Sequence, residues 1–231
     1  MLIQGFHLTQ TDPSGFSVLQ DAYLSFPQGS YTVLLSENVM AASAFLKMLA
    51  GENRPSAGTL RIDHQDIYAF SSTQKRRWLL EVGVIFSDFK LLSDRTLEEN
   101  ISFTLRTKGF WDESSLGAVG QLLAKAGLSD KAKLRPEQLT DGEKQMAMAL
   151  RAMIFRPRLL LADDPFHGLE GEMFQTLFRF FRELHKTGTA LVLSTSQPSF
   201  LEEAKKAEND PAIRWVQLEN GVIYPLEEKV S

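Results

Sequence analysis

Residues 31–51 read YTVLLSENVMAASAFLKMLAG. An apolar run of β type at 31–35, a short turn and an apolar helical run at 44–50 have the order and spacing of a strand, a phosphate-binding loop and a helix. The loop pattern suited to such a place is GxxxxGK[ST]: glycines let backbone N–H groups wrap a phosphate, the lysine reaches the β/γ-phosphates, and the hydroxyl ligates Mg²⁺. Counted back from Gly51, its positions fall on Ser36, Ala41, Ala42 and Ser43, so only the hydroxyl survives.

Toward the N-terminus, residues 2–9 and 18–26 alternate apolar and polar side chains, and Pro27-Gln28-Gly29 turns the chain into the strand at 31. This reads as an antiparallel entry ribbon. On the other side, Gly51, Pro55 and Gly58 precede TLRID (59–63), a short edge-type strand, and a polar, basic helix follows around 72–78. VGVIF (82–86) is a continuous apolar run between turn formers, the mark of a strand buried on both faces. Asp94 or Thr96 can cap a helix starting near Leu97, with Glu98 and Glu99 in its favourable first turn.

Helical periodicity from about 104 to 133 reads as a helical insertion. LTDGEKQMAMALRAMI opens with a capping pattern, Thr140 followed by Glu143, and continues as an amphipathic helix to about Phe155. RLLLA (158–162) is a buried strand ending in Asp163 and Asp164; 174–185 is a helix with Phe174, Phe178 and Phe181 at core spacing. ALVLS (190–194) is a further strand, and IRWVQLENGVIY forms a hairpin about Asn220-Gly221. The expected fold is α/β, with a mostly parallel core sheet, an antiparallel β entry subdomain and an α-helical insertion. One domain is expected, its core at about 1–86 and 156–231 and its helical subdomain at about 87–155.

With 231 residues, 43% apolar and 23% charged, the chain can bury one sizeable core. A formal net charge of -4 disfavours nucleic acid as a partner. The absence of Cys excludes a disulfide framework and a thiolate metal site, and the four His are scattered. MLIQGFHLTQ lacks the charged and apolar segments of a signal peptide, and no apolar run approaches the ~20 residues of a membrane span. A cytoplasmic chain is expected, held at the inner face of the cell membrane only through a partner.

The order of these segments resembles an ATP-binding cassette (ABC) nucleotide-binding domain across nearly the whole chain. LTDGEKQMAMALRA is similar to the family signature LSGGEQQRVAIARA, and PRLLLADDP with HGLE is similar to the Walker B strand and D-loop, PKLLLADEP and GNLD. VGVIFSDFKLLSDRTLEENI resembles most the cell-division (FtsE) and lipoprotein-export subgroup, of the form IGVVFQDFxLLPDRTVxEN.

The resemblance implies ATP and Mg²⁺ held between two domains, the P-loop and Walker B of one facing the signature loop of the other. It places Ala42 at the P-loop lysine, with Val39 and Ala41 where glycines would stand; Cβ atoms there crowd an approaching phosphate. Ser43 either touches Mg²⁺ or caps the helix at Ala44. Ser87 falls at the glutamine of the Q-loop and Ser196 at the switch histidine. Asp163 retains the metal-binding aspartate, or is part of an acidic strand-end turn without metal. Asp164 replaces the glutamate that polarises water, its reach shortened by a methylene. In the signature loop, Thr140, Gly142 and Glu143 follow the family, while Asp141 puts a carboxylate where phosphate oxygens would approach. The adenine-stacking aromatic falls near Thr11 or Asp12, with Phe16 as a substitute or as packing.

By the same resemblance, a groove around 86–112 receives a short coupling helix from an integral membrane permease-like subunit. Phe86, Phe89, Leu91, Leu92, Phe110 and Trp111 are docking candidates, with core packing as the plainer reading for half or more. Lys75-Arg76-Arg77 marks a solvated helix face, or one that meets acidic lipid or partner groups. Phosphoryl transfer depends on positioning and charge neutralisation, so the substitutions act on one step. The favoured expectation is a catalytically degenerate ABC subunit that docks as a scaffold or coupling element, as a homodimer or a heterodimer with another ABC domain. The alternatives are an active ATPase with an atypical loop and a soluble regulator without a transport role.

Overall fold

Local signals start most elements of the computed structural model, which describes residues 1–11, 17–88, 90–197, 200 and 213–226. Strands β1 (Leu2–Thr11) and β2 (Ser17–Pro27) pair antiparallel, as their alternation requires. With β4 (Ala57–Ile62) and the two-residue β5 (Gln65–Asp66) they form a sheet of order β2-β1-β4-β5. The second sheet has the order β10-β9-β3-β8-β7-β6, built from β3 (Tyr31–Leu35), β6 (Val82–Ile85), β7 (Leu159–Asp163), β8 (Ala190–Thr195), β9 (Ile213–Glu219) and β10 (Val222–Pro225). All of its pairings are parallel except β9 with β10, whose turn at Asn220 and Gly221 has positive φ at both residues.

Three helices open on reciprocal side-chain caps. Ser71 and Gln74 start α2 (Ser72–Glu81), Thr96 and Glu99 start α3 (Leu97–Lys108), and Thr140 and Glu143 start α5 (Asp141–Met153). Helix α4 (Ser115–Lys125) lies between the last two, so α3, α4 and α5 are inserted between β6 and β7. Helix α6 (Gly171–Lys186) follows β7 and buries Phe174, Phe178 and Phe181, as their spacing predicts.

Period-two alternation explains the layers. On β7, Leu159 and Leu161 join the core that holds Phe45, Leu46 and Leu49 of α1 (Val39–Ala50), while Leu160 and Ala162 join the core that holds α5 and α6. The sheet is thus covered on both faces, which is why β3, β7 and β8 are predominantly apolar, without alternation. The VGVIF strand is buried but lies at the sheet edge; its Gly83 lets the backbone come so close that a Cβ would meet Ala152 O at 2.5 Å.

Helix α1 departs from expectation. It starts at Val39, five residues before the apolar run at 44, because Asn38 caps it and Val-Met-Ala-Ala-Ser contains no glycine to interrupt the winding. Ser43 therefore lies inside the helix and does not cap it.

Candidate functional site

Strands β3, β7 and β8 end side by side, and a parallel sheet offers its ligand crevice at such carboxyl ends. Only Ser36, Glu37 and Asn38 separate β3 from α1. Ser36 is buried; its N–H donates to Thr195 O (3.0 Å) and its hydroxyl to Asn38 O (3.1 Å). The Asn38 side chain accepts from Ala41 N (3.0 Å), and Asn38 O accepts from Ala42 N (3.1 Å). The N–H groups at the counterparts of the loop's second glycine and lysine thus both point at Asn38. The Ala41 and Ala42 side chains are buried in the core, and what α1 presents to solvent at its start is Val39 and Met40, the latter 75% exposed. These two side chains, with Glu37, line one wall of an open cleft of about 600 Å³ whose other wall is the β9–β10 turn.

The β7 end supplies two carboxylates in different settings. Asp163 is 6% exposed and accepts a hydrogen bond from Ser194 Oγ (2.7 Å). Asp164 sits at φ 44, a left-handed conformation tolerated here because its N–H donates to Ser194 O (3.1 Å). Its carboxylate accepts from Thr195 Oγ1 and Ser196 Oγ, each at 3.4 Å, and His167 Nδ1 lies 3.5 Å away. Burial pushes the Asp164 carboxyl above the usual aspartate range, against the pull of His167 and the two hydroxyls; Asp163 adds to the rise.

Ser194 and His167 were missed in the sequence. Ser194 is hidden inside an apolar strand run, and His167 approaches Asp164 only because residues 164–167 close a turn, with His167 N donating to Asp164 O (3.1 Å). The glutamine position, Ser87, is exposed, and beside it Asp88 pairs with Lys47 of α1 at 2.7 Å.

The segment 140–145 is ordered by its own helix start. Thr140 N donates to Glu143 Oε2 (2.9 Å), and Glu143 N to Thr140 Oγ1 (3.3 Å). Glu143 is buried and paired with Lys131; burial opposes its ionisation, but the ammonium and the Thr140 N–H outweigh burial and hold the carboxyl below the usual glutamate range. Asp141 projects outward with its side chain 98% exposed, partnered by Lys144 at 2.9 Å. Gln145 Nε2 donates to Pro165 O (3.0 Å), which joins this helix to the turn that follows β7. Thr140→Ala removes one cap acceptor and is expected to lower stability by about 1 kcal/mol, read as a shift of the denaturant midpoint at constant slope.

The candidate docking residues separate. Phe86 is 1% exposed and belongs to the core; Leu91 and Trp111 are half-buried against the core on the helical side. Leu92 lines a cleft of about 380 Å³ between α2 with β6 and α3 with α5, whose other apolar walls include Leu79, Phe103 and Phe155. Phe110 is exposed, stacks on Phe155 and lines a different cleft, between α4 and α6. Phe89, Asp12 and Phe16 lie outside the described residues. Among the described residues no helix is long and apolar enough to cross a membrane.

The profile of the family described as "ABC transporter" matches residues 19–167. The chain is 30% identical to the cell division ATP-binding protein FtsE of Escherichia coli over 194 residues, covering 84% of this chain and 87% of that protein. It is 32% identical to the methionine import ATP-binding protein MetN of Corynebacterium jeikeium over 180 residues, which is 78% of this chain but about half, 49%, of that longer relative. Among solved structures, the dimeric bacterial ABC transporter cassette MJ0796 superposes with a TM-score of 0.83 at 20% identity, covering 97% of this chain and 99% of that one. The parallel sheet with its antiparallel ribbon, the helical insertion and the matched profile lead to one assignment: this chain is an ABC transporter ATP-binding domain, homologous to FtsE and MetN.

Proposed function

We propose that this chain is an FtsE-like ABC subunit that works without hydrolysing ATP itself, docking on a membrane permease-like partner as a scaffold or coupling element. The observation that carries the reading is at the start of α1, where Asn38 takes the N–H groups of Ala41 and Ala42. Those amides, at the places of glycine and lysine, are bonded within the chain, no cationic side chain stands at position 42, and the exposed side chain beside them is the apolar Met40. Phosphates need converging donors and positive charge. The residues present therefore do not fit the triphosphate of ATP. Ser43 and Asp163 are the residues left to hold Mg²⁺, and Asp164, with Ser196 beside it, the remnant of the hydrolytic group.

The partner side of the proposal rests on the cleft lined by Leu79, Leu92, Phe103 and Phe155, whose apolar side chains suit the apolar face of an incoming helix. It lies between the core, taken as 1–86 and 156–231, and the helical subdomain, taken as 87–155. Location at the inner face of the cell membrane then follows from the partner, and pairing with a second ABC domain, identical or different, is the assembly in which such a subunit would act.

Calorimetric titration with ATP and Mg²⁺ tests the reading. No binding heat up to millimolar nucleotide is expected. Micromolar binding together with turnover that is abolished in Asp164→Asn would overturn it and favour an active ATPase, the reading that the retained Asp163, Asp164 and Ser194 cluster supports.

A further inference from the structure

We infer that the outer face of α2 is a docking surface for anionic phospholipid headgroups, so that the chain contacts the membrane directly as well as through a protein partner. Lys75, Arg76 and Arg77 are all exposed and form no ion pair among the described residues, in a chain whose formal net charge is -4. The carboxylates flanking the helix in sequence are otherwise engaged. Asp66 accepts from Tyr68 N (2.9 Å), Glu81 pairs with Arg158 (2.8 Å), and Asp88 pairs with Lys47 (2.7 Å). Glu52 lies within electrostatic reach of Lys75 but makes no ion pair with it among the described residues. The three cations are thus left to an external anion.

Their arrangement suits a surface more than a pocket. As consecutive residues, Lys75, Arg76 and Arg77 fan across the exposed side of the helix, and helical spacing puts the exposed Leu79 one turn beyond Lys75 and Arg76, so an apolar side chain adjoins two of the cations. On the side opposite Arg76 the helix is anchored by buried Trp78, whose Nε1 donates to Ala50 O (3.1 Å). The far end of α2 is pinned by Lys108, whose Nζ donates to Leu79 O (2.5 Å) and Val82 O (3.0 Å). A helix fixed at both its buried face and its end presents these cations without a backbone ordering cost. Scattered cations beside one apolar residue match a plane of phosphodiesters at the headgroup level, whereas a single bound phosphate would need convergent donors. The surface lies along the cleft that Leu79 also lines. The proposal does not depend on whether nucleotide binds.

Co-sedimentation of the full chain with protein-free vesicles, of pure phosphatidylcholine or of equal parts phosphatidylcholine and phosphatidylglycerol, tests it. Binding is expected to the mixed vesicles only and to weaken as salt rises. Each cation neutralised should weaken it about fivefold, and the triple variant Lys75→Gln, Arg76→Gln, Arg77→Gln on the order of a hundredfold. The single variant Arg77→Gln, at an exposed position, gives the same test at smaller amplitude should the triple variant fold poorly. No binding to mixed vesicles at low salt, or equal binding by the variants, overturns the proposal. Loss of co-purification with an integral membrane protein in the variants, without any vesicle binding by the unaltered chain, also overturns it and assigns the surface to an acidic protein partner.

Discussion

Replacing Asn100 by Ala should destabilise the protein by about 3 kcal/mol, since a few neutral hydrogen bonds are lost and buried backbone groups are left unpaired. Asn100 is fully buried on α3 and organises the connection before it. Its Oδ1 accepts from Leu92 N (2.7 Å), and its Nδ2 donates to Leu92 O (3.1 Å), Arg95 O (3.2 Å) and Thr96 O (3.0 Å). One amide thus supplies both an acceptor and donors to a segment with no regular structure of its own. Asn100→Asp keeps the acceptor but replaces the donors with a buried charge, so it should be no milder than Ala. Denaturant unfolding measures the loss. Because Leu92 both bonds to Asn100 and lines the cleft between α2 and α3, the same variant should weaken capture of the membrane partner proposed above beyond what the remaining folded fraction explains.

The second large effect is expected at Phe166, two residues after Asp164. Its ring centroid lies 4.9 Å from that of Phe174, 5.5 Å from Phe181, 6.3 Å from Phe178 and 4.7 Å from Phe200. Phe166→Ala removes the centre of this cluster and should cost about 3–5 kcal/mol, while Phe166→Leu, which keeps most of the volume, should cost under about 1.5 kcal/mol. A difference of that size between the two variants in equilibrium unfolding would locate the effect in packing; equal losses would refute it. The consequence for the site is local. The turn from Asp164 to His167 is seated on this ring, so the Ala variant should also release the geometry that sets His167 beside Asp164.

Much of the fold was legible because it depends on nearest-neighbour patterns. The apolar runs at 33–35, 159–162 and 190–193 specify strands covered on both sides, and Thr140 with Glu143 specifies a helix start whichever way the chain continues. Asn220-Gly221 specifies its turn through the positive φ that both residues tolerate. The order of segments also sufficed for the family, since the phosphate-loop, signature and Walker B positions recur in sequence even where their side chains have changed.

The site was less legible, because its geometry is set by residues distant in sequence. The extension of α1 back to Val39 could have been suspected from the missing glycines, but the burial of Ala41 and Ala42 depends on the core beneath them. The bond from Ser194 to Asp163 joins adjacent parallel strands in register, and pairing register is not written in either strand alone. Likewise, Phe86, Leu92 and Phe110 look alike as apolar residues of one stretch, yet packing sends the first to the core and the other two to separate clefts. The sequence by itself determined the elements, their caps and their order, which follow from side-chain periodicity and local hydrogen bonding. Only the tertiary structure decided which polar groups satisfy one another at the strand ends and which apolar groups stay exposed, because those outcomes depend on what long-range packing brings against each residue.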